Sequence, residues 1–219
     1  MQYVIGVVAQ KGGTGKSTLA RLAARAQLGL DVLIADLDTQ QTTCTDWAAD
    51  RAKAGIEPRI DAEPFPYVRR ALKKGRDRDA IVLDGRPHAS DQTTEIARAA
   101  HEIVIPTGQT LDDLRPAVAL AHDLADAGIK PRLISCAALK TTRSVAELTV
   151  TRTYLAEAGY TVLDGDIPLS TAYGIAHDAG RALSATPYPT LNQRAELLAR
   201  PIVDRARAAV AHERAAAAR

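Results

Sequence analysis

Nine residues near the start of the chain, Gln10 to Thr18, read Gln-Lys-Gly-Gly-Thr-Gly-Lys-Ser-Thr, and their flanks leave few folds open. Residues 1–9 (MQYVIGVVA) are apolar and β-branched, the signature of a buried strand. Residues 19–28, rich in Ala, Leu and Arg, predict a helix. Strand, glycine turn and helix is the setting in which a phosphate-binding loop forms. Gly12, Gly13 and Gly15 let the backbone turn tightly and aim successive N–H groups inward, and a helix starting near Lys16 adds the positive end of its dipole. Such a concavity suits a polyphosphate. Lys16 is placed for the β and γ phosphates and the Ser17 hydroxyl for a magnesium ion, with Thr14 and Thr18 belonging to the same loop. The strict pattern G-x-x-x-x-G-K-[ST] fails at its first position, where Gln10 stands.

Two further apolar runs end in acids. Residues 32–35 (VLIA) lead into Asp36-Leu37-Asp38-Thr39-Gln40, and residues 80–83 (AIVL) are closed by Asp84. An open α/β sheet delivers the carboxyl ends of its strands to one ligand crevice, so these acids are expected to face the phosphates and the metal. Asp84 is the candidate metal ligand, acting through water. Asp38 is the candidate for orienting an attacking water, and Asp36 either holds the magnesium shell or supports Asp38. The plainer alternative is that acids at a strand end cap the next helix.

Strand-like runs at 102–106 and 132–136 alternate with Ala-rich helical stretches at 91–100, 115–127 and 144–158. That order predicts an α/β fold, a doubly wound and mostly parallel sheet with helices on both faces. The 219 residues are 46% hydrophobic but only 4% aromatic, which suits one aliphatic core of the kind parallel sheets bury. Residues 1–219 are expected to form one domain, with 190–219 a basic C-terminal helical segment. Residues 63–66 (EPFP) are expected to be a loop. The first strand leaves no room for a signal peptide and no apolar run approaches membrane-spanning length, so a cytoplasmic protein is expected. Cys44 and Cys136 are too far apart to suggest a disulfide framework or a zinc site and are expected to be buried, unreactive thiols; the five histidines form no ligand pair.

The net charge of +2 is too mild to imply nucleic acid, but its distribution is uneven. Arg194, Arg200, Arg205, Arg207, Arg214 and Arg219 crowd the last segment against Glu196, Asp204 and Glu213. Leu198, Ile202, Ala206 and Val210 recur every four residues and would dock a helix on the core, leaving arginines outward. Pro201 must start that helix or kink it. Arg200, Arg205, Arg207 and Arg214 are the candidate DNA contacts; a solvated helical face is the alternative.

Lys11 makes the loop resemble that of the ParA/MinD group of ATPases, whose deviant motif places a lysine before two glycines; Gln10-Lys11-Gly12-Gly13 looks like the ParA side. Asp36 to Gln40 is similar to that family's D-x-D-P-Q segment, with Thr39 for proline, and Asp84-Gly85-Arg86-Pro87 to its D-x-P-P, with arginine for one proline. Cys44-Thr45-Asp46-Trp47-Ala48 and Arg51 look like the segment that follows in short plasmid-partition ATPases, although Trp47 is expected to be a core anchor. Gly165-Asp166-Ile167-Pro168, with Ala172, Ala176 and Gly180, resembles the base-side segment, which implies that Pro168 touches adenine. The asparagine that many relatives place near the end of the 132–136 strand is missing.

The resemblance implies ATP and Mg2+ as cofactors, catalytic roles for Lys11, Lys16 and Asp38, and a homodimer in which Lys11 reaches the partner's ATP. It further implies non-specific DNA binding by that dimer, release on hydrolysis, stimulation by a small ParB-type adaptor, and a nucleoid-associated role in segregating a plasmid or chromosome. Cargo of another kind, a carboxysome or chemoreceptor cluster, is the first alternative. A MinD-like membrane ATPase needs bulky apolar residues in its tail, where residues 205–219 offer only Val210 as a larger aliphatic, so no membrane binding is expected. An iron-sulfur reductase would require a cysteine soon after Asp84, and a dethiobiotin synthetase-like ligase is the metabolic alternative.

Overall fold

The computed structural model describes residues 2–25, 29–88, 90–142 and 144–218. Met1, the expected helix end at 26–28 and Arg219 lie outside the described residues. The chain begins with β1 (Tyr3–Val7), α1 (Lys16–Arg25), β2 (Val32–Asp36) and α2 (Thr43–Lys53), followed by β3 (Asp61–Pro64), α3 (Val68–Lys74), β4 (Ala80–Asp84) and α4 (Ser90–Ala99). It continues with β5 (Glu102–Thr107), α5 (Leu111–Asp126), β6 (Ile134–Thr141) and α6 (Val145–Glu157). Two short strands, β7 (Thr161–Val162) and β8 (Ile167–Pro168), precede α7 (Thr171–Asp178) and the long α8 (Pro189–Ala217).

The eight strands run β3-β2-β4-β1-β5-β6-β7, with β8 on β6, and every pairing among the described residues is parallel. Both faces of such a sheet must be covered, which is why β1, β2, β4 and β5 are buried along their whole length. On one face Ile5, Val7, Ile34 and Val82 pack with α1 and α8; on the other Val4, Leu33, Ile81 and Ile103 pack with α3, α4 and α5. The chain leaves central β1 toward β2 on one side and later crosses to β5 on the other, and a crevice opens at such a switch point. Val7 and Asp36 both stand level with Asp84, so the loop after β1 and the two acids share one rim.

Two expectations need correction. Residues 63–66 are not all loop: Asp61–Pro64 is an edge strand beside β2. Pro64 is tolerated because an edge strand needs hydrogen bonds on one side only. The strand placed at 132–136 starts later, after a 3-10 turn at Pro131–Leu133, and runs on to Thr141. Of the two places open to Pro201, it does not start the last helix, whose first residue is Pro189, but sits inside α8, where the carbonyl left without an N–H belongs to Leu197, a residue exposed to water. Leu198, Ile202, Ala206 and Val210 dock α8 as their spacing predicts.

Candidate active site

The loop between β1 and α1 depends on two backbone conformations that favour glycine, with φ +71 at Gly13 and +100 at Gly15. A Cβ at Gly15 would also lie 2.4 Å from Leu139 Cδ2, so the end of β6 packs directly under the loop. At Gly12 and Gly13 a Cβ would meet nothing within 4 Å: that side of the loop is open. The first turn of α1 follows at once, its Leu19 N–H donating to the Gly15 carbonyl at 3.0 Å.

Lys16 is buried and its Nζ donates to the Lys11 carbonyl at 3.1 Å. Burial lowers the pKa of its ammonium, while Asp84 and Asp38 oppose that shift, which places all three groups in one electrostatic unit. The Ser17 hydroxyl lies beside the Asp84 carboxylate and lowers its pKa. Lys11 is half-buried and turned elsewhere: its Nζ donates to the backbone carbonyl of Asp112 in the first turn of α5.

Asp36 and Asp84 end neighbouring strands but differ in what they have left to offer. Asp36 Oδ2 accepts from Cys44 N at 2.9 Å, Thr45 N at 3.2 Å and the Thr45 hydroxyl at 3.4 Å, and Oδ1 accepts from Asp38 N at 3.3 Å. It therefore caps the first turn of α2 and holds the Asp38 backbone. This geometry supports Asp38, and Asp36 also offers a ligand atom within 4.8 Å of those of Cys44 and Asp84. Asp84 is 1% exposed, and its Oδ1 has no hydrogen-bond partner while Oδ2 accepts from Cys44 Sγ at 3.2 Å. Burial raises its pKa to about 6 against the Ser17 hydroxyl, the hydrogen bond from Cys44 and the charge of Lys16. An orphaned buried carboxylate oxygen beside a serine hydroxyl fits a hard divalent cation, so these residues suit magnesium.

Asp38 is half-exposed where the chain leaves β2, and its backbone carbonyl accepts from Thr42 N at 2.9 Å. With Gln40, Gln41, Arg86, Pro87 and His88 it lines a cleft of about 330 Å³. His88 N also donates to the Gln10 carbonyl at 3.0 Å, which ties the segment after Asp84 to the start of the loop. Pro168 is buried in β8 against β6 and lines a different cleft, of about 630 Å³, between α7 and the start of α8; among the described residues none of 10–18 lines it.

The tail departs from expectation. Arg205 does not point outward: its Nε donates to Glu102 Oε1 at 2.8 Å and its Nη2 to the Arg132 carbonyl at 2.7 Å, because a buried carboxylate at the start of β5 needs a cation. Arg194 is likewise paired with Asp166. Arg207 lies 5.7 Å from the centroid of the Tyr3 ring but stays exposed, as do Arg200 and Arg214.

Sequence reasoning missed two contacts of the site. Lys140 Nζ donates to the Gly13 carbonyl at 2.6 Å, and Cys44 Sγ donates to Asp84 Oδ2 at 3.2 Å. Cys44 and Cys136 are both buried, as expected. Trp47 is the core anchor it was expected to be, 3% exposed, with the guanidinium carbons of Arg21 and Arg51 5.8 and 5.6 Å from its ring centroid.

A parallel doubly wound sheet with a glycine loop at its switch point and an acid on the neighbouring strand defines a P-loop NTPase-like protein. The family model described as the CobQ/CobB/MinD/ParA nucleotide binding domain matches residues 5–154, and the chain belongs to that family. It is an ATPase of the ParA/MinD type that works on ATP with Mg2+. No curated protein sequence matches it. Among solved structures it is similar to apo McdA from Cyanothece, at 16% identity and a TM-score of 0.72 over 93% of this chain and 100% of that one. It is similar to the septum site-determining protein MinD from Pyrococcus horikoshii, complexed with Mg-ADP, at 17% identity and 0.72 over 92% and 96%. It is also similar to a putative plasmid partition protein from Borrelia burgdorferi, bound to AMPPNP, at 16% identity and a TM-score of 0.69 over 93% of this chain and 98% of that one.

Proposed function

We propose that this chain is a dimerising partition ATPase in which ATP fastens two copies together, the dimer holds DNA without regard to sequence, and hydrolysis lets it go. The observation that carries the reading is the division of labour between two lysines. Lys16 is buried inside its own loop, whereas Lys11 starts from the same loop and turns away from it. A cation that does not serve its own cradle is free to serve another's, and an ammonium placed on a partner's triphosphate offsets charge that would otherwise keep two subunits apart.

In this reading the backbone of Gly12 to Thr18 and the Lys16 ammonium hold the phosphates, and Ser17 with Asp84 holds magnesium, which neutralises phosphate charge when bound. Asp38, fixed through Asp36, orients the attacking water, and Pro168 lies toward the base. Residues 1–219 work as one domain, because α8 shares the core of the sheet. The exposed arginines of α8, now Arg200, Arg207 and Arg214, are the DNA contacts, and a small ParB-type adaptor stimulates turnover. The tail favours DNA over a lipid surface: Val210 is buried, and residues 211–218 expose only alanines, His212, Glu213 and Arg214.

Size-exclusion chromatography with ATP and Mg2+ tests the central step. Lys11→Ala should bind ATP yet elute as a monomer, and Asp38→Ala should accumulate as a dimer. A Lys11→Ala protein that dimerises like wild type sinks the reading. Liposome sedimentation should leave the protein in the supernatant.

A further inference from the structure

The end of β6 grips the phosphate loop from outside, and it does so with two consecutive residues. Leu139 fills the space under Gly15. Lys140 then departs from strand geometry: its φ is +54, a left-handed conformation that glycine adopts freely and a residue with a side chain resists. The β6–β8 pairing shifts register at this point, between Leu139 and Thr141, so Lys140 is bulged out of the ladder. A bulge re-aims a side chain, and here the exposed Lys140 reaches back 127 residues in sequence to donate to the Gly13 carbonyl at 2.6 Å.

Gly13 is itself at positive φ, and its carbonyl shares a peptide unit with the Thr14 N–H. In a trans peptide those two groups point in opposite directions. An ammonium that draws the carbonyl to one side therefore turns the N–H to the other.

We propose that Lys140 is a nucleotide-positioning residue, holding the Gly13 peptide so that the loop presents its N–H groups to polyphosphate before nucleotide arrives. The proposal rests on the reading of residues 10–18 as a phosphate cradle. It explains why a strained site carries lysine: the conformation is tolerated for the sake of the ammonium. Preorganisation of this kind acts on binding of any nucleotide that reaches the loop, and equally in ground and transition states, so it changes affinity more than turnover at saturation.

Titration of fluorescent ATP and ADP analogues onto the full chain tests it, with thermal unfolding of each nucleotide-free variant alongside. Lys140→Gly keeps the backbone conformation and removes the ammonium. It should weaken both nucleotides by roughly tenfold, the scale of one charge-assisted hydrogen bond, while the unfolding temperature holds or rises. Lys140→Arg should restore most of the affinity, Lys140→Met none of it, and turnover at saturating ATP should stay within about twofold. Lys140→Gly binding like wild type overturns the role, as does a Lys140→Met protein that binds like Lys140→Arg. A wild-type chain that binds neither analogue instead brings down the reading of the cradle.

Discussion

Two buried carboxylates stand on the two strands that flank β1, one at a carboxyl end and one at an amino end, and their neighbours treat them differently. Asp84 closes β4 and Glu102 opens β5; each is 1% exposed. Burial raises both pKa values, to about 6 for Asp84 and about 7 for Glu102. Glu102 Oε1 accepts from Ser135 Oγ at 2.5 Å and from Arg205 Nε at 2.8 Å, so the chain satisfies it internally and uses it to fasten α8. Asp84 keeps an oxygen without a partner. A charge taken out of water needs compensation, and where the fold withholds it the group is kept for something that comes from outside. Burial and a raised pKa are common to both acids; the leftover lone pair is what distinguishes Asp84 from the acid that holds the structure together.

The sharpest break of this comparison is to remove each acid in turn. Asp84→Asn should lower magnesium-dependent ATP hydrolysis by roughly a hundredfold or more, because a correctly held divalent ion contributes several kcal/mol to such a step. Its stability in urea should not fall, since an incompletely paired buried charge has gone. Glu102→Ala should do the reverse. It strands the Arg205 guanidinium, whose side chain is 27% exposed, and should cost about 2–3 kcal/mol of unfolding free energy with turnover per folded molecule unchanged. If Asp84→Asn destabilises as much as Glu102→Ala, the two acids are not different in kind.

A gentler test uses pH. Glu102 has a folded value near 7, above the ordinary 4.5, so the folded chain holds a proton that the unfolded chain releases across that window. Its contribution to stability is complete below about pH 4.5 and is lost as the pH rises through 7. Urea unfolding at pH 5 and pH 8 should therefore show a difference that Glu102→Gln shrinks by about 1–2 kcal/mol. An identical difference in the variant would place the titration elsewhere.

What could be seen in the sequence follows from how locally each feature is encoded. Interior strands β1, β2, β4 and β5 announce themselves because a parallel strand covered on both faces is continuously apolar. Edge strand β3, with Asp61, Glu63 and Pro64, has no such run to show. The second half of β6 contains Ala137, Ala138, Leu139 and Lys140, all good helix formers, and is held extended by its pairing of Ala137 and Ala138 with Pro106 and Thr107. The glycine loop after β1 and the position of Asp84 at the end of β4 were legible because each is a short motif at the end of its own strand. Lys140 and Cys44 reach the loop and Asp84 from 127 and 40 residues away, which no local pattern records. Arg205 was misplaced for the same reason: helical spacing gives the face it occupies, but Glu102 lies 103 residues distant.

That misplacement yields the smallest and most discriminating effect. Each phosphate contact adds about 0.9 to the slope of log affinity against log salt for duplex DNA. Alanine at Arg200 or Arg214, both exposed, should therefore lower the slope of ATP-dependent DNA binding by about one unit apiece across all sequences. Arg205→Ala should leave the slope alone and cost stability instead, since its guanidinium already serves Glu102 and the Arg132 carbonyl. Measuring the slopes by filter binding between about 50 and 200 mM salt separates the two classes of arginine. A slope that drops for Arg205→Ala but not for Arg200→Ala or Arg214→Ala would mean that DNA meets the sheet side of α8, and that the ion pair with Glu102 opens to receive it.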